Sequence, residues 1–187
     1  MDLKAIILSI HPLQEDDYNQ FAAIIQPRIV AKNTRLIEAG KVDHRFYFIQ
    51  EGITRVYYET AERTINLVFP GPGETILSLN SYSLQSAGYE YIETLTECLL
   101  FEVDAIALKK LYQTNLDLAN WGRKLAEIEF IKAEKRLMNH LFKSAQERYT
   151  ELLLKYPALI QNIKLGHIAS YLGVSQVTLS RIRAVKS

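Results

Sequence analysis

Cys98 is the only cysteine in the 187-residue chain. A disulfide within the chain is therefore excluded, and a thiolate-built zinc or iron–sulfur site has too few ligands. Cys98 lies in the apolar run Cys98-Leu99-Leu100-Phe101, where it reads as a small buried hydrophobe. No apolar run approaches the roughly 18 residues of a membrane-spanning helix, so no membrane partner is expected. Residues Met1 to Ser9 include Asp2 and Lys4, lack the layout of a signal peptide and read as mature sequence, which points to the cytoplasm. His11, His44, His140 and His167 are too scattered for metal-ligand spacing, and each reads as an isolated surface or capping residue. No cofactor or metal is expected. G-x-S-x-G elbows and P-loops are missing too. The acidic pairs Asp16/Asp17 and Glu127/Glu129 read as solvated helix faces, and an enzyme is not expected.

A second scarcity is local. From Thr75 to Cys98 there is not one lysine or arginine. Charge is unevenly placed along the rest of the chain. Residues 1–130 carry twelve cations against eighteen acids, and residues 131–187 carry ten against three. A basic end on an acidic body suggests a polyanionic partner for the last 57 residues.

Periodicity divides the chain into an α+β fold. Residues 12–26 read as a helix, with Glu15, Asp16 and Asp17 in its first turn and Tyr18, Phe21, Ala22 and Ile25 at helical spacing. From Pro27 to Val103 the runs Leu36-Ile37, Phe46 to Ile49, Ile53 to Tyr58, Thr64 to Phe69 and Ile92 to Val103 are short, β-branched and aromatic. Glycine and proline turns separate them. This predicts an antiparallel sandwich or roll. Asp104 is a fitting N-cap for a helix over Ala105 to Tyr112. A longer helix follows over about 115–130, where Leu118, Trp121, Leu125 and Ile128 form a 3-4-3 stripe. That stripe suits either a seam between two chains or packing on its own sheet domain, and Trp121 favours the seam. The domain boundary is placed near residue 131, giving a sensor-like body (1–130) and a terminal domain (131–187).

The most specific element runs from Leu165 to Arg183. Ile168, Leu172, Val174, Leu179 and Ile182 are its apolar positions, and Ala169 lets two helices cross closely. Gly173 supplies the left-handed turn, and Ser175 caps a second helix. Gln176, Thr178, Ser180, Arg181 and Arg183 make that helix polar without acids. Such a helix fits a major groove, where Gln and Arg pair with adenine and guanine edges and Ser or Thr reach phosphates or bases. The competing reading is a helical hairpin inside an ordinary core.

Glu38-Ala39-Gly40, Tyr47-Phe48-Ile49-Gln50-Glu51-Gly52, Pro72-Gly73-Glu74 and Ser175 to Arg181 together resemble the CRP/FNR-like (cyclic-AMP receptor type) transcription regulators over nearly the whole chain. The resemblance implies a cyclic-nucleotide-binding-like β-roll (a jelly roll), a dimerisation helix and a C-terminal helix-turn-helix. Its implied partners are double-stranded DNA, a second copy of the chain, RNA polymerase and a small-molecule effector. It assigns DNA reading to Gln176, Val177 and Arg181. Val177 replaces the acidic residue common there, so it can touch a thymine methyl but cannot accept from cytosine. Few residues follow Arg183, so any wing precedes the helix pair, around Leu159 to Lys164, or is absent. Gly73, Glu74, Thr75 and Ser78 fall where the family holds its nucleotide. Yet Ser78 stands in place of the ribose-binding acid, and Gly88 or Tyr89 in place of the phosphate-binding arginine. Arg45, Arg55 and Arg63 lie on other strands and read as solvated. The expectation is an effector other than cyclic AMP, or none. The alternative is a ligand-binding signalling module that acts mainly through protein contacts.

Overall fold

The computed structural model describes residues 1–157 and 163–184. Two short helices open the chain, α1 (Leu3–Ile10) and α2 (Glu15–Ala22). The Asp2 carboxylate accepts from the Ala5 N–H at 2.7 Å and so caps α1. The helix expected over 12–26 stops at Ala22, because Ile25 and Gln26 already belong to strand β1 (Ile25–Val30), opposite Val103 and Glu102. Long-range pairing overrides the helical spacing there. Pro27 is tolerated within β1 because that strand lies at a sheet edge, where its missing N–H breaks no ladder bond.

The strands that follow are β2 (Arg35–Ile37), β3 (Arg45–Glu51), β4 (Thr54–Glu59), β5 (Thr64–Val68), β6 (Thr75–Ile76), β7 (Tyr91–Thr94) and β8 (Cys98–Asp104), with helix α3 (Leu79–Leu84) between β6 and β7. They form two four-stranded antiparallel sheets, ordered β1-β8-β3-β6 and β2-β7-β4-β5. This is the antiparallel roll that the short β-rich runs predict.

Strand β3 explains the layering. Successive side chains of a strand point to opposite faces. Phe46 and Phe48 therefore enter a core shared with the helices, while Tyr47 and Ile49 enter the core between the two sheets. Cys98 is fully buried in that second core, and burial pushes its thiol pKa up, so it is the inert hydrophobe its neighbours suggest. Gly52 turns the chain out of β3 at φ +95°. A Cβ there would lie 2.5 Å from the Cys98 sulfur and 2.6 Å from the Glu97 carbonyl oxygen, so only glycine fits.

After β8 come α4 (Ala105–Thr114), capped by Asp104, and α5 (Leu116–Phe142), which runs unbroken through residue 131. Leu118, Trp121 and Leu125 are buried and Ile128 is half-buried, all within a single chain. The expected seam between chains is therefore not available at these positions, and the stripe packs on its own sheet domain. Trp121 meets Phe21 at 4.7 Å and Phe48 at 6.1 Å edge-on, and its indole N–H donates to the Ile7 carbonyl at 2.9 Å. Helix α1 exists for this contact, since Ile6 and Ile7 close the same core.

Trp121→Ala is expected to cost about 3–5 kcal/mol of folding stability in urea denaturation. Leu116→Ala, at an exposed position of the same helix, should stay within about 0.5 kcal/mol. Similar losses at both sites would contradict this core.

Candidate nucleic-acid interface and the cavity beside it

Helices α6 (Ala145–Lys155), α7 (Leu165–Leu172) and α8 (Gln176–Ala184) follow α5. Ile168, Ala169 and Leu172 of α7 and Leu179 of α8 are buried, together with Tyr149 and Leu152 of α6 and Ile53, Phe69 and Leu95 of the roll. Gly173 ends α7 at φ +67°, and the Val174 N–H reaches back to the Ala169 carbonyl at 3.0 Å, as in a Schellman ending. Arg148 donates to the Leu172 carbonyl at 2.7 Å, which satisfies another acceptor at that helix end. The Ser175 hydroxyl accepts from the Thr178 N–H at 3.1 Å and caps α8.

With Leu179 fully buried underneath, Ser175, Gln176, Val177, Thr178, Ser180, Arg181 and Arg183 are all exposed. They form one contiguous face, polar except for Val177, that includes two arginines and no acid. Gly166 keeps α7 bare beside it: a Cβ there would come within 2.9 Å of the Gln176 side-chain amide. Of the segment considered for a wing, residues 159–162 lie outside the described residues.

The helix pair docks on the roll through polar contacts that sequence reasoning missed. The Ser170 hydroxyl donates to the Thr64 carbonyl at 2.7 Å and accepts from the Asn66 N–H at 3.0 Å, extending the edge of β5. Arg55 is not solvated. It bonds Glu93 at 2.6 and 3.0 Å, stacks 3.8 Å from the Tyr57 ring centre and donates to His167 Nδ1 at 3.0 Å. His167 is likewise not isolated. Burial, then Arg55 and Lys164, hold its pKa below the ordinary value of 6.5. Partners separated by 112 residues leave no local sequence signal.

A cavity of about 490 Å³ lies between the roll and α5. Glu74 and Thr75 line it; Gly73 and Ser78 do not. Ser78 is buried and instead caps α3, accepting from the Ser81 N–H at 3.4 Å. The Glu74 carboxylate is turned to the Gly71 N–H at 2.9 Å and to the Tyr156 hydroxyl. Burial, reinforced by Glu74, pushes the Tyr156 pKa up and keeps that phenol protonated as a donor. The roll thus contributes two carboxylates, Glu74 and Glu90, to the cavity wall, and no lysine or arginine. The cations in the lining, Lys132 and Arg136, come from α5.

Residues 27–115 match the family described as the cyclic nucleotide-binding domain. No curated protein sequence matches the chain. Among solved structures, the c-di-GMP responsive global regulator CLP of Xanthomonas campestris is similar at TM-score 0.70 and 16% identity, covering 92% of each chain. FixK2 from Bradyrhizobium japonicum has a TM-score of 0.73 and 18% identity over 86% of this chain and 83% of its own. The Thermus thermophilus catabolite activator protein has a TM-score of 0.59 and 18% identity over 94% and 84%. The fold is that of the CRP/FNR regulators. As the sequence resemblance implies, the CRP/FNR fold here covers roll, long helix and terminal helix pair together.

The Arg55–His167 contact needs a neutral imidazole. The histidine pKa is lower in the docked state than in the unfolded chain, so the contact's contribution to stability is fully present above 6.5 and is lost as pH falls below that value toward the lowered folded one. The melting temperature of the wild type should therefore fall more steeply between pH 7.5 and 5.5 than that of His167→Gln, whose side chain accepts from Arg55 without titrating. Equal slopes would contradict the contact.

Proposed function

We propose that this chain is a transcription regulator that binds DNA sequence-specifically as a homodimer, controlled by an effector other than cyclic AMP or by none. The observation that carries the reading is the outward polar face of α8, anchored from beneath by Leu179. Gln176 suits an adenine edge, Arg181 a guanine edge and Val177 a thymine methyl. Ser175, Thr178 and Ser180 reach phosphates or bases, and Arg183 contributes phosphate affinity. The regulator role of the similar proteins supports the same reading.

The dimer surface is the far half of α5. Phe130, Leu137 and Leu141, and beside them Ile131, Met138 and Phe142, are exposed at seven- and then four-residue spacing, which keeps them on one side of the helix as a helix–helix seam requires. A second copy placed there leaves the buried Trp121 undisturbed. Two α8 helices then enter major grooves about 34 Å apart on a pseudo-palindromic site. The division near residue 131 falls within α5, so sensor and DNA-binding parts share one rod. RNA polymerase is the further partner this role implies. No helix among the described residues is long and apolar enough to cross a membrane.

The test compares wild type and Arg181→Ala by fluorescence anisotropy, on a duplex selected from a randomised pool and on random DNA. The preferred duplex should lose about 1–3 kcal/mol, roughly 5- to 150-fold in affinity, and random DNA much less. Equal loss on both would reduce Arg181 to a phosphate clamp.

A further inference from the structure

Glu90 is a carboxylate only 6% exposed on the wall of the cavity between roll and α5. One of its oxygens accepts from the Tyr89 N–H at 3.0 Å, and no ion pair joins it to a lysine, arginine or histidine among the described residues. The other charges in the lining are placed differently. Glu74 is held by Gly71 and Tyr156, Lys132 is paired with Glu129 at 2.7 Å, and Arg136 belongs to the α5 side of the lining rather than to the roll. The rest of the wall is largely apolar or aromatic, with Ile76, Leu77, Tyr82, Tyr89, Leu125 and Phe130.

The loop itself supplies no cation, since no lysine or arginine lies between Thr75 and Cys98. A Cβ on Gly88 would lie 2.4 Å from the Ser78 hydroxyl and 2.8 and 2.9 Å from the two Glu90 oxygens. A side chain starting at Gly88 would have to displace the Ser78 hydroxyl and the Glu90 carboxylate, which fill the space beside it. A buried carboxylate without a counter-charge is costly. A phosphodiester brought to this wall would add a second negative charge.

We propose that this cavity binds an amphipathic organic cation, with an ammonium group on Glu90 and an apolar body against Ile76, Leu77 and Leu125. The ammonium donates charge-assisted hydrogen bonds to the carboxylate, and the Tyr82 and Tyr89 rings favour the same charge. A volume of about 490 Å³ suits a small molecule of this kind. The inference deepens the regulator reading by naming the chemistry of its effector. Binding is measured without DNA, so failure of either reading leaves the other standing.

The experiment is calorimetric titration of the full chain with phenethylammonium, neutral 2-phenylethanol, 3-phenylpropionate and cyclic AMP. The ammonium should bind at least tenfold tighter than the alcohol, with no heat from the carboxylate or cyclic AMP at the same concentrations. Glu90→Gln should bind ammonium and alcohol alike. The wild-type order stands as a test even if that variant does not fold. No binding of the ammonium, equal binding of ammonium and alcohol, tighter binding of cyclic AMP, or an unchanged preference in Glu90→Gln would each overturn the proposal.

Discussion

Burial of Leu172 and Leu179 is the constraint on which the functional surface depends. Both side chains are fully buried, in one cluster with Tyr149 and Leu152 of α6 and with Ile53, Phe69 and Leu95 of the roll. Each such burial stabilises by about 1.5–3 kcal/mol. With the apolar side of α8 held down, its polar residues have one direction to face, which is outward. Gly173 and Ser175 set the turn between the helices, but neither would orient them without the core beneath.

Helix α5 serves different neighbours along its length. Its first half is tied into the roll by Leu118, Trp121 and Leu125, and its second half leaves Phe130, Leu137, Leu141 and Phe142 uncovered. Between these halves, Leu125, Phe130, Lys132 and Arg136 border the cavity. One rigid element therefore touches the packed core, the cavity and the free apolar face. Any occupant of the cavity would touch the rod that carries the terminal helices, and the Arg55–His167 and Ser170–Thr64 contacts join those helices back to the roll.

Much of this was legible in the residues. The β-branched and aromatic runs at 36–37, 46–49, 53–58 and 64–69 became strands, and Asp104, Gly173 and Ser175 sit at the helix boundaries they signal. The failures have physical causes. Ile25 fits helical spacing and strand pairing equally well, and only its partner Val103 decides. Helix α1 is apolar on the face that meets Trp121, so it shows no distinctive outer pattern until that partner is placed. Trp121 itself could have faced a second chain. Arg55 and His167 look solvated because their partners are far away in sequence.

Dimethyl sulfate footprinting of a duplex selected by the chain from a random pool tests the central claim most directly, because it reports guanine N7 in the major groove. The account predicts protection of guanines in two major grooves about one helical turn apart, lost when the α8 face is altered. Binding that leaves every guanine N7 fully reactive, or a pool in which no sequence is enriched, would contradict it.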